Sequence, residues 1–277
     1  MIPVWLVLFC ATGSYSIAAT GHQNAKRATE MLPADAGRTS GAFNNQVERS
    51  GKADLKSDPL VIISEFSDAD VVPDGNPGEF WATAKRVRFN EAAFTRDEYP
   101  KAETMVASRW TAKYLYLAFW CHYQKLNTFK GEDPVPERWG LWERDVVEAF
   151  INPRPEHPSH YYEFEVAPTN QWIDLEIDLN RHPFNDAKWN SGFEHATRID
   201  AAHHIWTAEM RIPIRSMKAE DIKPGAEWKL NFYRGDGPGP GSARREMSWG
   251  PLPVNSAAAL FHQPASFGTI RFAGRGD

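Results

Sequence analysis

Two runs of this 277-residue chain set aromatic rings beside carboxylates at a spacing of two: Trp142 through Pro153, reading WERDVVEAFINP, and Tyr161 through Pro168, reading YYEFEVAP. In an extended strand, alternate side chains share a face. Val147, Ala149 and Ile151 therefore form one row, and Glu148, Phe150 and Asn152 form the other. Tyr162, Phe164 and Val166 alternate in the same way with Tyr161, Glu163 and Glu165. The apolar rows suit a core. The other face suits a ligand with an apolar C–H surface, which packs on flat rings, and a belt of hydroxyls, which donate to charged acceptors. That is the chemistry of sugar binding.

The elements that hold these faces read as strands. Eleven strand-like runs follow one another from Leu60 to Phe272, separated by Gly, Pro, Asn and Asp clusters, with no convincing amphipathic helix and only a turn or two around Ser216 to Ile222. The expected fold is all-β, an antiparallel, jelly-roll-like β-sandwich in a single domain. The run from Trp172 to Leu179 alternates most cleanly. Ile173, Leu175, Ile177 and Leu179 make its apolar row, and Trp172, Asp174, Glu176 and Asp178 are expected to extend the acidic face as a solvated surface. Later strands offer Glu209 and Arg211, and Glu227, Lys229, Asn231 and Tyr233, as balancing groups.

Composition narrows the function. The net charge of -5 comes without a basic block or stripe, which argues against a nucleic-acid partner. Ten of the eleven tryptophans lie beyond the first twenty residues, more than packing alone requires. Ile2 to Cys10 is a short apolar run followed by small residues at Ser16 to Ala19, the pattern of a signal peptide over residues 1–19, so the chain is expected to be secreted or periplasmic. Residues 20–58 are polar and aperiodic and read as a flexible tether, leaving 59–277 as the domain. No run is long enough to span a bilayer. Cys121 remains as the one cysteine after the leader, in an alternating apolar strand that predicts a buried, inert thiol.

In order along the chain, Pro73-Asp74-Gly75, Trp81, Tyr114 to Leu117, Trp142 to Pro153, Tyr161 to Pro168, Trp206 to Pro213, Trp228 to Arg234, Ser248-Trp249 and Pro264 to Gly268 resemble the family 9 carbohydrate-binding module and its wider family 9-like group. The resemblance spans roughly residues 60 to 272. It implies a β-sandwich with a ring-lined sugar site, often accompanied by structural calcium. It places the clamping rings at Trp142 and Phe261 and an acceptor for sugar hydroxyls at Glu148. A sugar-binding arginine of the family falls on Glu165, and Tyr161 lies on the same strand. The expected ligand is a poly- or oligosaccharide, held without chemistry beside a partner glycoside hydrolase that degrades it.

Competing roles attach to the same residues. Glu148 could instead pair with Arg211 or Lys229 and fix the sheet. Calcium could be held by the loop oxygens of Asp68, Asp70, Asp74 and Asn76, or by the row of Asp174, Glu176 and Asp178. A glycoside hydrolase needs two carboxyls flanking the scissile bond, and no such pair is legible. The wider sandwich superfamily also includes haem-binding electron carriers, for which Met105, Met210, Met247, His122 and His262 are the available ligands.

Overall fold

Among the described residues thirteen strands form, eleven of them where the alternating runs fall. They are β1 (Val61–Phe66), β2 (Arg86–Phe89), β3 (Thr104–Trp110), β4 (Tyr114–His122), β5 (Val146–Asn152), β6 (His160–Val166), β7 (Trp172–Asp178), β8 (Asn185–Asp186), β9 (Glu194–Asp200), β10 (Ile205–Pro213), β11 (Glu227–Asp236), β12 (Arg245–Ser248) and β13 (Gly268–Ala273). Only β8 and β12, two and four residues long, lack a counterpart among the runs read from sequence. The structure is a computed structural model that describes residues 60–130, 136–238, 244–253 and 261–276. The leader at 1–19 and the tether at 20–58 lie outside the described residues. Among those described, no helix is long and apolar enough to cross a membrane.

Hydrogen bonding follows one continuous path, β8-β7-β6-β5-β11-β13-β1-β3-β4-β10-β9, with β12 joined to β11 and β2 to β3. The sheet curls on itself so that its two halves face each other. Their inner rows make the main core, where Phe119 of β4 meets Phe232 of β11 edge-on at 5.7 Å. Burying rings of this size supplies much of the driving force for closing the sandwich. The pairing is antiparallel except at β1, which runs parallel to both β13 and β3. An all-antiparallel sandwich is thus right for most of the sheet and corrected at β1. Only a strand at one end of the domain, inserted beside one at the other end, joins the two halves there, and no local turn signal announces such a pairing.

The β5 and β6 alternation holds. Val147, Ala149, Ile151, Tyr162, Phe164 and Val166 all sit in the main core. The expectation for β7 does not hold. In the β6–β7 register Leu175 lies opposite Glu163 and Ile173 opposite Glu165, so the apolar row of β7, not its acidic row, shares the face of those glutamates. This outer face is not bare. Val146, Phe150, Tyr161, Ile173, Leu175, Ile177 and Tyr233 form a second apolar cluster there, capped by Leu252 and Phe267 from loops. The acidic row points the other way and is not solvated: Asp174 is fully buried and accepts from the Ser191 amide at 2.8 Å, while Glu176 accepts from Lys218 at 2.6 Å and faces His160 at 3.0 Å.

An ion pair is fully buried inside the sandwich. Arg234 and Asp236 both project inward from β11, 3.2 Å apart, and the Arg234 guanidinium also lies 4.9 Å from the centre of the Trp206 ring. Cys121 of β4 packs in the main core, and burial pushes its thiol up to about 11. At pH 8 the thiolate is therefore scarce as well as inaccessible. A thiol-reactive disulfide reagent is expected to label the folded protein at least about tenfold more slowly than the urea-unfolded chain. Equal rates would show that the strand opens freely.

Candidate functional site

A cavity of about 270 Å³ opens on the outer face of β5 and β6, lined by Trp142, Glu148, Phe150, Glu163, Leu175, Phe184, Asn185, Arg244, Glu246, Phe261 and His262. Trp142, Phe184, Phe261 and His262 come from segments flanking the strands, Phe150 from β5, and the carboxylates from the sheet itself. Trp142 sits in a 3-10 turn, Leu141–Glu143, just ahead of β5. Leu141 is fully buried in the outer cluster and anchors the turn, leaving Trp142 partly exposed. Gly140 starts the turn at a φ of 80°, a left-handed conformation that glycine adopts without a steric penalty. Asp145 then fixes the entry to β5, its two carboxylate oxygens accepting from the Gly237 amide at 2.7 Å and the Asn127 amide at 3.0 Å.

Phe261 faces the cavity from the far end of the chain. Its ring stacks on Tyr233 at 4.5 Å and 7°, and the Tyr233 hydroxyl donates to the Phe261 carbonyl at 2.8 Å. Next to it, His262 Nδ1 is hydrogen-bonded to the Tyr161 hydroxyl, 2.7 Å away, and the ring packs on Phe150 and Phe184. Burial lowers the His262 pKa to about 4, so the imidazole is neutral at physiological pH. Its Nε2 faces Glu163 at 4.0 Å.

The floor is acidic. Glu148 and Glu165 stand directly opposite each other on β5 and β6, and Glu163 is two residues from Glu165 on the same face. All three are buried. Burial, joined by mutual repulsion among the three carboxylates, raises Glu148 and Glu165 well above the usual carboxylate range, and burial pushes Glu163 up to about 7. Arg244, just ahead of β12, is the cation at this wall. Its guanidinium donates to the carbonyls of Trp142, Arg144 and Gly237 and lies 3.5 Å from Glu246. A side chain at Gly235 would collide with Arg244 and meet the Arg144 carbonyl at 3.0 Å, so that glycine makes room for the pin.

Of the five residues singled out from sequence, Trp142, Glu148 and Phe261 line the cavity. Tyr161 and Glu165 are fully buried beneath it, Tyr161 orienting His262 and Glu165 completing the acidic floor. The rival partners of Glu148 are engaged elsewhere: Arg211 bonds Glu194 and the Val71 carbonyl, and Lys229 donates to Thr269. Glu209 belongs to the opposite half of the sheet, where it accepts from the Trp81 indole at 2.6 Å and the Gly75 amide at 2.9 Å. Sequence reasoning missed Arg244, Glu246, Phe184, Asn185 and the pocket role of His262. Arg244 and Glu246 are the ends of a charged triplet, Arg244-Arg245-Glu246, but nothing local assigns it to this wall.

The loop carboxylates considered for calcium already have donors. Asp70 accepts from Thr111 and Lys113, Asp68 pairs with Arg275, and Asp74 accepts from the Asn76 amide. Of the haem candidates, Met210 and Met247 are packed in the main core and His262 is bonded to Tyr161.

Residues 72–275 match the family described as carbohydrate family 9 binding domain-like. A proposed carbohydrate-binding protein of Bacteroides uniformis superposes with a TM-score of 0.61 at 17% identity, covering 78% of this chain and 100% of that one. A family 9 module of Caldicellulosiruptor kristjanssonii, solved with cellotriose, gives 0.53 at 17% identity, covering 78% and 95%. An "Extracellular protein" of Arthroderma benhamiae is 28% identical over 148 residues, which span 50% of this chain and 65% of that protein. The β-sandwich is common to the family 9 structures, and the matched segment takes in all but the first of the thirteen strands. The chain belongs to the carbohydrate family 9 binding domain-like family.

Proposed function

We propose that this protein is an exported carbohydrate-binding protein that holds a poly- or oligosaccharide in the Trp142–Phe261 cavity without altering it, and so assists glycan breakdown by a partner glycoside hydrolase. The observation that carries this reading is the cavity itself, which brings the part-exposed rings of Trp142 and Phe261 together with the carboxylates of Glu148 and Glu163. Rings supply the stacking surface for a pyranose, and Glu148 and Glu163 supply acceptors for its hydroxyls. Trp139, 57% exposed and 5.0 Å edge-on from Trp142, extends the aromatic surface beyond the cavity mouth, as a second sugar unit requires. Cellotriose and glucose are bound by the Caldicellulosiruptor module, which makes β-glucan oligosaccharides the first ligands to test. Export is supported by the leader-like start and by the extracellular relative.

The placement of the acids supports a non-catalytic role. Glu148, Glu163 and Glu165 rise from one face of one sheet, whereas a glycosidase sets its two carboxyls on opposite sides of the scissile bond. A glycan array followed by calorimetry tests binding, and a reducing-sugar assay on the same ligands tests catalysis. Binding in the micromolar to millimolar range with no sugar released is the expected result. Sugar release that disappears in Glu163→Gln would make the protein a hydrolase instead.

A further inference from the structure

We propose that Glu148, Glu163 and Glu165 form a binding site for a divalent cation of the hard, oxygen-seeking class, calcium above all, in the floor of the cavity. Each residue offers a carboxylate oxygen, and the three oxygens all lie within 4.8 Å of one another. Ligands about a calcium ion stand at about 2.3 to 2.6 Å, so any two on opposite sides are separated by at most about 5 Å. The three oxygens therefore fit one coordination sphere as they stand. Two come from directly opposed positions on neighbouring strands and the third from the same face, so the sheet ladder holds them in place.

A second observation points independently to a missing partner. Both oxygens of Glu165, fully buried, have no hydrogen-bond donor, and Glu148 Oε1 and Glu163 Oε2 are unpartnered as well. Buried carboxylates without donors are costly, and like charges directly opposite across a ladder add repulsion. Among the described residues, Arg244 is the one nearby cation that draws Glu148 and Glu165 down through space, and it hydrogen-bonds to neither. Arg244 is turned to three backbone carbonyls and Glu246. Neutral His262 is tied at Nδ1 to Tyr161. One guanidinium does not balance three carboxylates, and a divalent ion would supply both the remaining charge and direct partners for the unpaired oxygens. Three protein oxygens leave further positions on such an ion open, and Glu148 and Glu163 face the cavity, so those positions would be filled by water or by paired hydroxyls of a ligand. That last step rests on the proposed function; the ion site does not.

The test is calorimetry of the chelator-stripped full chain with calcium, magnesium and manganese chlorides, in the absence of sugar. Saturable binding of one ion per chain is expected, weakened at least about tenfold in Glu165→Gln and in Glu163→Gln and unchanged in the loop variant Asp68→Asn. Because glutamine keeps the shape and removes a repelling charge, both variants should melt in ion-free buffer no lower than the wild type. If none of the three metals binds the wild type, protons alone neutralise the floor and the proposal is overturned. Binding that survives Glu165→Gln and Glu163→Gln would place the ion elsewhere and overturn it equally. Sugar titrations with and without chelator then read the proposed function separately, since ion binding without any sugar affinity would leave the site and remove the function.

Discussion

Trp142→Ala is expected to weaken oligosaccharide binding at least tenfold, about 1.5 to 3 kcal/mol, while leaving the fold intact. The indole is the largest ring at the cavity and is only partly buried in the absence of ligand, so a sugar covering it removes the most apolar surface from water. Nothing in the core depends on it, because Leu141 anchors the turn. Phe261→Ala should cost less, since half of that ring is already occupied by stacking on Tyr233. Glu148→Gln should weaken binding through loss of a charged acceptor at constant shape. Affinity electrophoresis in gels containing the bound polysaccharide ranks the three variants. Equal retardation of Trp142→Ala and wild type would remove the site.

Asp236→Ala carries the other large effect, on stability. It leaves the Arg234 guanidinium fully buried without its closest counter-ion, which costs about 3 to 5 kcal/mol. At about 2 to 4 °C per kcal/mol for a domain of this size, Tm should fall by roughly 6 to 20 °C. Replacing both members, Arg234→Met with Asp236→Leu, should recover part of the loss, because packing of similar volume avoids the desolvation penalty while Arg245, which also donates to Asp236 at 2.6 Å, loses its partner but is part-exposed to solvent. Thermal unfolding followed by circular dichroism decides it. A drop of less than about 2 °C in Asp236→Ala would mean that Asp145, which also interacts electrostatically with Arg234, suffices to hold the charge.

The strands and one wall of the cavity were legible because both depend on local spacing. Period-2 alternation placed β5 and β6 with the correct inner rows, and Trp142 declared itself by standing just ahead of a charged strand entrance. Alternation divides a strand into two faces but does not say which one turns inward, and β7 shows the consequence. Its apolar row looked like the core row. The outer face proved to have an apolar cover of its own, assembled from Leu252, Phe261 and Phe267 far along the chain, and the acidic row found Ser191, Lys218 and His160 at the sandwich margin. Arg244 and His262 reach the site through tertiary contacts with partners about a hundred residues away, which no window of sequence contains. Glu165 was visible as an acid at a position where the family pattern has an arginine. Only the register, which sets it opposite Glu148, reveals an acidic floor.

The most direct test of a sugar-binding cavity at Trp142 is to titrate cellotriose, or the best ligand from a glycan array, into nitrogen-15-labelled protein and follow the indole N–H signals. The account predicts that the Trp142 signal, and with longer ligands that of Trp139, moves in a saturable manner, while the signals of Trp81 and Trp206, buried in the opposite half of the sandwich, stay fixed. Saturable shifts at other tryptophans with Trp142 unmoved would contradict it.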